Sequence, residues 1–413
     1  MKVLIIGSGG REHAIADAFA RSPENPSVIV SPGNAGIARE YQCVKLGDKQ
    51  DILQFVRKQE IDLVFIGPEQ PIFEGLSDYL RDNEISVLAP SQAAARLETS
   101  KAFAKDLMLD KGIPTARYSL IHSEQELDEC LQDYEYPVVL KADGLAAGKG
   151  VIICQDAAEA GVACKELLSH TAGKTGIVVE EYLSGWETSL FAFCDGREFQ
   201  TSLFSQDHKQ LYDNDLGPNT GGMGAICPVP EAETYRERIE QEIIKPILEA
   251  MEEQGSPYVG ILYLGLMITN DGPKVIEFNC RFGDPETQVV LPLLKTDFSK
   301  ICTSIVSGTI RELKLEWHKQ YALAVVLAAP GYPGTYKKGI EIGITKPQAK
   351  IYFAGVTDGE SGLVSSGGRV LAVMHKAATL QEARAGAYQA LSEIDFEGKV
   401  FRTDIGLRNN HLT

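Results

Sequence analysis

Apolar runs and helical patterns alternate along the first hundred residues. The runs are short, rich in valine and isoleucine, and end in turns that contain glycine or proline. Between them, apolar positions recur with the spacing of an amphipathic helix. Strands and helices in this alternation predict a parallel sheet covered by helices, and hence an α/β domain over residues 1–100. The predicted elements are strand 2–6, helix 11–21, strand 27–30, helix 51–59, strand 62–66, strand 86–89 and helix 92–98.

The pattern changes near position 100. A helix at 101–111 is followed by apolar runs that predict strands at 138–141, 150–154 and 176–181. The first two flank the glycine-rich segment ADGLAAGKG (142–150), which has one residue too few between its glycines for a Walker loop and no hydroxyl after its lysine. We predict a flap whose backbone amides lie over phosphates, and a plain glycine-rich hairpin is the alternative.

Three features around these strands suit a nucleotide. Lys141 ends a strand and offers a point charge to the α and β phosphates. The third strand runs into a hinge, Glu180 through Leu183, whose main-chain groups can pair with the edge of an adenine. Glu187, farther along, can take the ribose hydroxyls. Taken alone, these glutamates are also ordinary strand-end acids.

The segment VIEFNCRFGDPETQ (275–288) begins as a strand with a distinctive polar face. Alternation places Glu277, Asn279 and Arg281 on one face and Ile276 on the other. A carboxylate and an amide oxygen two residues apart can bind one hard cation such as Mg²⁺, which shares its other positions with substrate phosphates and water. Arg281 adds a planar fork suited to a carboxylate or phosphate. The alternative is a half-buried edge strand with a solvated polar face.

The opening strand ends in the glycine turn 7–10, as in a dinucleotide-binding fold. The third glycine of G-x-G-x-x-G falls on Glu12, and Ser-Pro-Gly follows the second strand in place of a ribose-binding acid. NAD binding is therefore excluded. Two interpretations remain open: the amides at Gly9 and Gly10 hold an anion with Arg11 nearby, or the turn is purely structural.

Two further stretches combine glycine with polar residues. The segment DNDLGPNTGGMG (213–224) is a long loop of the kind that binds ligands or is disordered. After position 320, the pattern predicts strands at 321–328 and 368–374 and a helix near 380–393. Between them, SSGGR (365–369) joins hydroxyls, flexible backbone and a cation. This predicts either a phosphate cradle or a hairpin turn with a solvated arginine.

Composition and net charge limit the classes of protein to which this sequence can belong. The 413 residues are 44% hydrophobic, enough for a large core and for several domains of about 150 residues. A net charge of -17 argues against a general nucleic-acid or anionic-membrane binder. Eight cysteines without CxxC pairs indicate a reduced cytosolic protein. The N-terminal apolar run is too short for a signal sequence, and no segment approaches the ~20 apolar residues of a membrane span.

The order of these parts resembles that of ATP-grasp ligases, and closely resembles the phosphoribosylamine–glycine ligase family of purine synthesis. The matching blocks follow the family's order from Met1 to Gly406, and several are long and chemically unusual. They are GSGGREHA, PGNAG, IGPEQP, SKAFAKD, KADGLAAGKGV, SQDHK, GPNTGGMGA, VIEFNCRFGDPETQ, GYPG, SSGGRVL and DIG.

The resemblance implies a division of the chain into three domains. A biotin-carboxylase-like N-terminal domain is expected at 1–100. An ATP-grasp domain follows at 101–320, with a small, mobile lid lobe at about 115–187. A small C-terminal α+β domain is expected at 321–413.

The resemblance also implies a reaction and its participants. Glycine's carboxylate attacks the γ-phosphate of ATP to give glycyl phosphate, and the amine of 5-phosphoribosylamine then displaces phosphate to form the amide. ATP is a substrate, Mg²⁺ or Mn²⁺ is the expected metal, and the protein is expected to be a cytoplasmic monomer that binds neither nucleic acid nor membrane. The alternatives are another ATP-grasp carboxylate–amine ligase, a biotin-dependent carboxylase, and a nucleotide-binding regulatory protein without catalysis.

Site residues carry over position by position. Arg281 is expected to hold glycine's carboxylate or the transferring phosphoryl group, and Asp213 or Asp215 to receive glycine's ammonium. The implied catalytic residues are Arg281, Lys141, Asp213 and Asp215. The implied metal ligands are Glu277 and Asn279. The implied ATP-binding residues are Lys101, Lys141, Gly144, Gly148, Lys149, Gly150, Glu180, Glu181, Tyr182, Leu183 and Glu187. The implied binders of the other substrates are Gly9, Gly10, Asn219, Gly221, Gly222, Arg281, Asp284, Ser366, Gly367 and Arg369.

Overall fold

A computed structural model describes residues 1–144, 150–170 and 175–407 of the chain. The first sheet has five parallel strands in the order β3-β2-β1-β4-β5. The central strand, β1, is buried on both faces, as expected for a parallel sheet covered on both sides. Its elements are β1 (Lys2–Gly7), α1 (Gly10–Ala20), β2 (Ser27–Pro32), β3 (Gln42–Cys43), α2 (Lys49–Gln59), β4 (Leu63–Ile66), α3 (Glu69–Phe73), α4 (Leu76–Asp82), β5 (Val87–Leu88) and α5 (Arg96–Thr99).

A second, small lobe follows the helix α6 (Lys101–Asp110). Its sheet is antiparallel, in the order β6-β9-β7-β8, and encloses an apolar cluster separate from the rest of the core. Thr115 joins the lobe to the body, because its Oγ1 donates to the Val275 carbonyl at 2.7 Å. The lobe's elements are β6 (Tyr118–Ile121), α7 (Glu124–Cys130), β7 (Val138–Ala142), β8 (Val151–Cys154), α8 (Ala157–His170) and β9 (Ile177–Glu181).

The central body is built on long antiparallel strands in the order β11-β10-β16-β17. A π-helical segment, Glu240–Ile244, joins α9 to α10 without a break. The elements of this region are β10 (Trp186–Asp195), β11 (Phe199–Thr201), β12 (Gln206–Asp207), β13 (Gln210–Tyr212), β14 (Leu216–Asn219), β15 (Gly224–Cys227), α9 (Arg236–Ile239), α10 (Lys245–Glu253), β16 (Val259–Thr269), β17 (Gly272–Asn279), α11 (Thr287–Val290) and α12 (Phe298–Ser307).

The C-terminal strands complete a sheet that begins earlier in the chain. Its antiparallel order is β12-β15-β18-β23-β20, so main-chain hydrogen bonds tie the C-terminal region to the body. The C-terminal elements are β18 (Tyr321–Ala328), β19 (Gly343–Ile344), β20 (Lys350–Phe353), β21 (Val356–Asp358), β22 (Leu363–Ser365), β23 (Arg369–Ala377), α13 (Leu380–Leu391) and β24 (Ile394–Asp395). The α/β multidomain class predicted from the sequence is confirmed.

Aromatic packing fixes the N-terminal sheet against the body. Phe282, three residues after the end of β17, stacks on Phe65 of β4 with ring centroids 6.2 Å apart. The same ring meets Phe191 of β10 edge to face at 4.9 Å. Such pairs add to the stabilisation from burial. Within the described ranges, no helix is both long and apolar enough to cross a bilayer.

Candidate active site

The polar face of β17 is displaced by a β-bulge. The pairing with β16 shifts between Gly265 and Leu266, which face Glu277 and Val275 and leave Ile276 as the extra residue. Val275 points into the core, whereas Ile276 lines the cleft beside Glu277. The prediction that Ile276 lies on the face opposite Glu277 is therefore wrong, because strict alternation does not hold across a bulge.

Glu277 stands where three adjoining pockets meet. Its carboxylate accepts a hydrogen bond from Asn279 Nδ2 at 3.3 Å, so both side chains occupy one side of the strand. Burial alone would raise the pKa of Glu277, but the cations of Lys209 and Lys141 outweigh that effect and hold it below its usual value. The carboxylate is thus kept ionised at the centre of the cleft.

Arg281 forms the wall between two of the pockets. Its guanidinium bonds Glu98 at 2.9 Å, Asn279 Oδ1 at 3.0 Å and Glu69 at 3.2 Å. These carboxylates outweigh the effect of burial and raise the pKa of Arg281, so the side chain is permanently charged. The structure therefore places Arg281 in the cleft, already held in one orientation by two acids.

The first pocket, here the lysine pocket, lies between α6, the small lobe and β17. Lys141 Nζ donates to Glu180 at 2.9 Å and to the Ile276 carbonyl at 3.2 Å, and Lys105 Nζ lies 3.2 Å from the same carboxylate. Burial, reinforced by the Lys141 charge and opposed by Glu180, lowers the pKa of Lys105 to about 8. Lys101 lines the same pocket. Lys101 and Lys105 thus line the pocket together with four glutamates, among them Glu180, whereas Lys141 lines the adjoining hinge pocket.

The ends of the glycine-rich segment reach this pocket. Gly144 and Gly150 line it, and Lys101 Nζ donates to the carbonyl of Gly144 at 3.0 Å. Asp143 accepts from the amide of Ala102 at 3.2 Å, which attaches the segment to the first turn of α6. The predicted ATP-binding residues Gly148 and Lys149 lie outside the described residues.

The second pocket, here the hinge pocket, lies against the segment predicted to bind adenine. Glu180, Glu181, Tyr182, Leu183 and Glu187 all line it. Sequence reasoning missed its apolar lining from the strands of the small lobe and body, although the alternating apolar positions of those strands were visible. These missed residues are Val139, Val151, Ile153, Met267 and Ile276.

The third pocket, here the three-region pocket, is lined by residues from distant parts of the chain. Arg369, from β23, lies 3.1 Å from Asp284 Oδ2 and also donates to the Asp284 carbonyl at 2.6 Å. The same guanidinium bonds the carbonyl of Gly221, which joins the loop before β15 to the C-terminal region. Asp284, Gly221, Arg281 and Arg369 are thus brought together, and Gly222 adjoins them through its own carbonyl.

Several predicted substrate binders lie nearby with their polar groups already engaged. The amide of Gly9 donates to Glu12 Oε2 at 2.6 Å, and a side chain on Gly9 would come within 3.7 Å of Asp284. Gly10 packs against Gln288. This engagement favours the structural interpretation of the opening turn. Asn219 lines the hinge pocket rather than the three-region pocket.

The predicted cradle at 365–369 divides into two parts. Arg369 enters the three-region pocket, whereas the amides of Ser366 and Gly367 donate to the carbonyl of Gly355 at 2.8 and 3.2 Å. A side chain on Gly367 would lie 2.9 Å from the Gly355 Cα, so the turn packs tightly on its neighbour. This part of the segment is built as a tight turn.

Asp213 and Asp215 do not join the other predicted catalytic residues. Asp213 accepts from the amide of Thr403 at 2.7 Å, and Asp215 accepts from Arg402 at 2.8 Å. Among the described residues that line the three pockets, neither aspartate appears. Their placement differs from the prediction because the β13–β14 hairpin docks on the C-terminal segment, which a local sequence pattern cannot show.

A different acidic group faces the ligand space. Asp207 and Glu286 line the three-region pocket together with Tyr263 and Lys209. Burial and the neighbouring carboxylates raise the pKa of Asp207, while Lys209 opposes them, and burial also raises the pKa of Glu286. Lys209 itself bonds Glu187 at 2.7 Å and so links this pocket to the hinge pocket. The polar block SQDHK (205–209) was the available signal for Asp207 and Lys209.

Comparison with known proteins agrees with this geometry over nearly the whole chain. Family models match in three parts: the phosphoribosylglycinamide synthetase N domain at 1–98, its ATP-grasp (A) domain at 99–287 and its C domain at 322–408. A phosphoribosylamine–glycine ligase of Caldanaerobacter subterraneus subsp. tengcongensis is 44% identical over 418 residues, covering 98% of this chain and 99% of that protein.

Solved structures give the same result at the level of the fold. The phosphoribosylamine–glycine ligase of Thermotoga maritima superposes with a TM-score of 0.87 at 36% identity, covering 98% of this chain and 100% of that one. A biotin carboxylase from Campylobacter jejuni superposes with a TM-score of 0.74 at 14% identity over 98% of this chain and 94% of that one, which shows a shared fold. The chain belongs to the phosphoribosylamine–glycine ligase family of ATP-grasp proteins.

Proposed function

We propose that this protein ligates glycine to 5-phosphoribosylamine at the expense of ATP, giving glycinamide ribonucleotide, ADP and phosphate in purine biosynthesis. Family membership supports the reaction. The observation that carries the assignment of the site is the position of Glu277, which lines the lysine pocket, the hinge pocket and the three-region pocket. A nucleotide and two further substrates bound in these pockets would meet at this carboxylate.

ATP binding follows from the chemistry of two of the pockets. The hinge pocket offers apolar side chains for the faces of adenine and main-chain groups of Glu180–Leu183 for its edge. Glu187 lies at the far side for the ribose hydroxyls. Lys141, Lys105 and Lys101 are placed to meet the phosphates, and Glu180 holds the first two of these lysines side by side. Positioning and charge neutralisation of this kind provide most of the catalysis in phosphoryl transfer.

The donor set of β17 fits Mg²⁺ or Mn²⁺. Glu277 contributes a carboxylate, and Asn279 Oδ1 has a second lone pair beyond the one that Arg281 uses. The described residues hold no cluster of three or more histidine, cysteine, aspartate or glutamate ligands. Two protein ligands suit a metal that completes its coordination with phosphate oxygens and water. Such a metal would neutralise charge that develops on the phosphates.

The three-region pocket suits an amino acid and a sugar phosphate. Arg369 offers a guanidinium for a phosphate or carboxylate, and Arg11 lines the pocket from α1. Asp207 and Glu286 supply carboxylates for an ammonium group, the role that sequence reasoning gave to Asp213 and Asp215. Glycine and the amine would therefore enter beside Glu277 from the side opposite the adenine.

In the reaction, a glycine carboxylate oxygen bonds the γ-phosphorus as the bond to ADP breaks. The phosphoribosylamine nitrogen then bonds the acyl carbon, phosphate departs, and the nitrogen loses a proton. The lysines hold the approaching anions together, and Arg281, fixed by Glu98 and Glu69, stabilises the acyl phosphate. Asp207 and Glu286 are the buried carboxylates placed to take the proton. Closure of the small lobe would exclude water from the acyl phosphate.

A substrate-omission assay tests the proposal. ADP release should require glycine, phosphoribosylamine and a divalent cation together. Biotin carboxylases share the fold, so bicarbonate with biotin forms the competing arm. Equal turnover in that arm would reject the ligase assignment, and absence of turnover in every arm would favour a regulatory nucleotide-binding protein.

We further infer a cytoplasmic, monomeric enzyme. All eight cysteines are free, and six of them are buried, which suits a reducing compartment. Light scattering of the purified protein tests the oligomeric state, and a mass near twice 45.0 kDa would reject the monomer.

A further inference from the structure

A separate cleft lies where four distant segments meet, away from the pockets described above. The C-terminal end of α1 supplies Arg21 and Ser22, and the N-terminus of α12 supplies Asp297. His318 and Lys376 complete the cleft from the segment before β18 and from the end of β23. None of these five residues lines the lysine, hinge or three-region pocket.

The cleft concentrates positive charge in a protein whose net charge is -17. Arg21, Lys295, Lys376 and His318 all line it. Burial, and then the charges of Lys376, Lys295 and Arg21, lower the pKa of His318. Burial and Arg21 likewise lower the pKa of Lys376, against a smaller opposing effect of Asp17. Arg21 also pairs with Asp17, and Lys295 pairs with Glu316 at 2.7 Å, so part of this positive charge is already compensated.

Two buried polar atoms of the cleft have no hydrogen-bond partner in the described part of the chain. They are Ser22 Oγ and Asp297 Oδ2. Ser22 is only 5% exposed. The other carboxylate oxygen of Asp297 caps α12 by accepting from the amide of Ser299 at 3.0 Å. A buried polar atom without a partner is costly, and a bound ligand that satisfies it removes that cost.

We propose that this cleft binds a small organic phosphate that also carries hydroxyl groups. The phosphate would lie among Arg21, Lys376 and His318, with charge-assisted hydrogen bonds from Arg21 and Lys376 and a neutral N–H donor from His318. Ser22 Oγ would donate to a phosphate oxygen. Asp297 Oδ2 accepts but cannot donate, so it selects a ligand with a hydroxyl over an anion that carries no hydrogen, such as sulfate.

The position of the cleft gives the ligand a structural consequence. Arg21 already donates to the Leu291 carbonyl at 2.9 Å, and Lys376 Nζ donates to the Pro292 carbonyl at 3.3 Å. The same two side chains thus connect α1 and β23 to the segment that leads into α12. A phosphate bound between them would add a further link among these segments, so binding should raise the melting temperature of the whole chain.

Calorimetric titration with ribose 5-phosphate tests the site. The Arg369→Met background removes a cation from the three-region pocket, so that binding there does not mask the cleft. Adding Lys376→Met should weaken the remaining binding at least about tenfold, because a charge-assisted contact is lost. Lys319→Met is the matched control, since Lys319 is an exposed lysine next to His318 that does not line the cleft, and it should change nothing. Equal affinity in the Lys376 and Lys319 variants would overturn the proposal.

Two further measurements define the ligand. Ser22→Ala should weaken binding several-fold while leaving the unliganded melting temperature unchanged, because the lost hydroxyl has no partner in the free protein. Sulfate should bind less tightly than ribose 5-phosphate, since it carries no hydrogen to donate to Asp297 at neutral pH. Unchanged affinity in the Ser22 variant, or tighter binding of sulfate, would reject the assigned ligand class.

Discussion

The hinge pocket and the three-region pocket share Glu277 but are assembled in different ways. The hinge pocket is formed mainly by strand ends and their continuations, with residues 180–183 in one unbroken run. The three-region pocket takes Arg11 from α1, Asp284 from the segment after β17 and Arg369 from β23. The first draws on residues 139–277 and is partly apolar, whereas the second draws on residues 11–369 and is dominated by charge.

This difference separates two requirements of the reaction. Adenine is flat and apolar on its faces, so apolar side chains from strands of the small lobe and the body can receive it. Glycine and a sugar phosphate are charged at several points, and opposite charges must converge on them from several directions. The convergence of α1, β17 and β23 supplies those directions, and Glu277 is the residue at which the two pockets meet.

The largest expected effect follows from the shared residue. Glu277→Gln preserves volume but removes the charge that is held ionised by Lys209 and Lys141. We expect kcat to fall by about 10³-fold, the scale seen when one group that stabilises developing charge is lost. The melting temperature should change little. Steady-state kinetics over a range of Mg²⁺ concentrations check this, and substantial activity at ordinary Mg²⁺ would place the metal elsewhere.

The second prediction concerns a substitution that should affect the three-region pocket and leave the hinge pocket intact. Arg369→Met should raise the KM for phosphoribosylamine by roughly 10- to 100-fold, since a charge-assisted contact contributes about 1.5–3 kcal/mol. The KM for ATP should stay within about twofold. Arg369→Lys keeps the charge but loses the fork that reaches Asp284 and Gly221. The KM of this variant for phosphoribosylamine should lie between those of the wild type and of Arg369→Met. An equal rise in the KM values for phosphoribosylamine and ATP would show that Arg369 acts on the whole cleft.

The third prediction concerns a substitution in the hinge pocket. Ile153 of β8 lines the hinge pocket and is 42% exposed. Ile153→Ser should raise the KM for ATP about five- to tenfold, because apolar contact worth roughly 1 kcal/mol or more is lost on binding. Val162→Ser is the matched control, since Val162 of α8 is 67% exposed and does not line the pocket. Equal effects of the two substitutions would remove adenine from this pocket.

The two pockets also differ in how far the sequence predicts them. The nucleotide side could be predicted because Lys141, Glu180 and Glu277 lie on strands whose periodicity fixes their neighbours. The bulge at Ile276 could not, since a single extra residue leaves the apolar pattern almost unchanged. On the other side, the sequence indicated Arg369 as a cation, but its pairing with Asp284 depends on a sheet that joins residues 206–227 to the C-terminal strands.

Asp207 and Asp213 also show how little the local sequence says about which acid reaches the substrates. Asp213 and Asp207 both lie in polar stretches, and their residue type does not distinguish them. Asp207 faces the cleft because β12 pairs with β15 in the shared sheet, whereas Asp213 lies at a hairpin that docks on Thr403. Tertiary pairing, rather than residue type, decides which aspartate meets the substrates. The domain boundaries and residue roles therefore stay predictions, while the family and fold class are confirmed.

The smallest expected effect concerns protons on the nucleotide side. Burial lowers the pKa of Lys105 from 10.5 to about 8, with Lys141 acting in the same direction and Glu180 against it. Since the unfolded chain binds this proton more tightly, the stability contribution of Lys105 should rise as pH increases from about 8 towards 10.5. A bound phosphate anion acts in the opposite sense, because it raises the pKa and favours the charged lysine.

ATP binding near pH 8 should therefore take up a fraction of a proton, and affinity should weaken as pH rises through that value. Calorimetry in two buffers with different ionisation enthalpies measures the uptake. Lys105→Met removes the titrating group while Lys141 still neutralises Glu180, so proton uptake near pH 8 should disappear and ATP affinity should become nearly independent of pH between about 7 and 9. Unchanged uptake in the variant would assign the proton to another group of the cleft. Loss of uptake with glycine or phosphoribosylamine as the titrant would instead place Lys105 on the three-region side and remove the distinction between the two pockets.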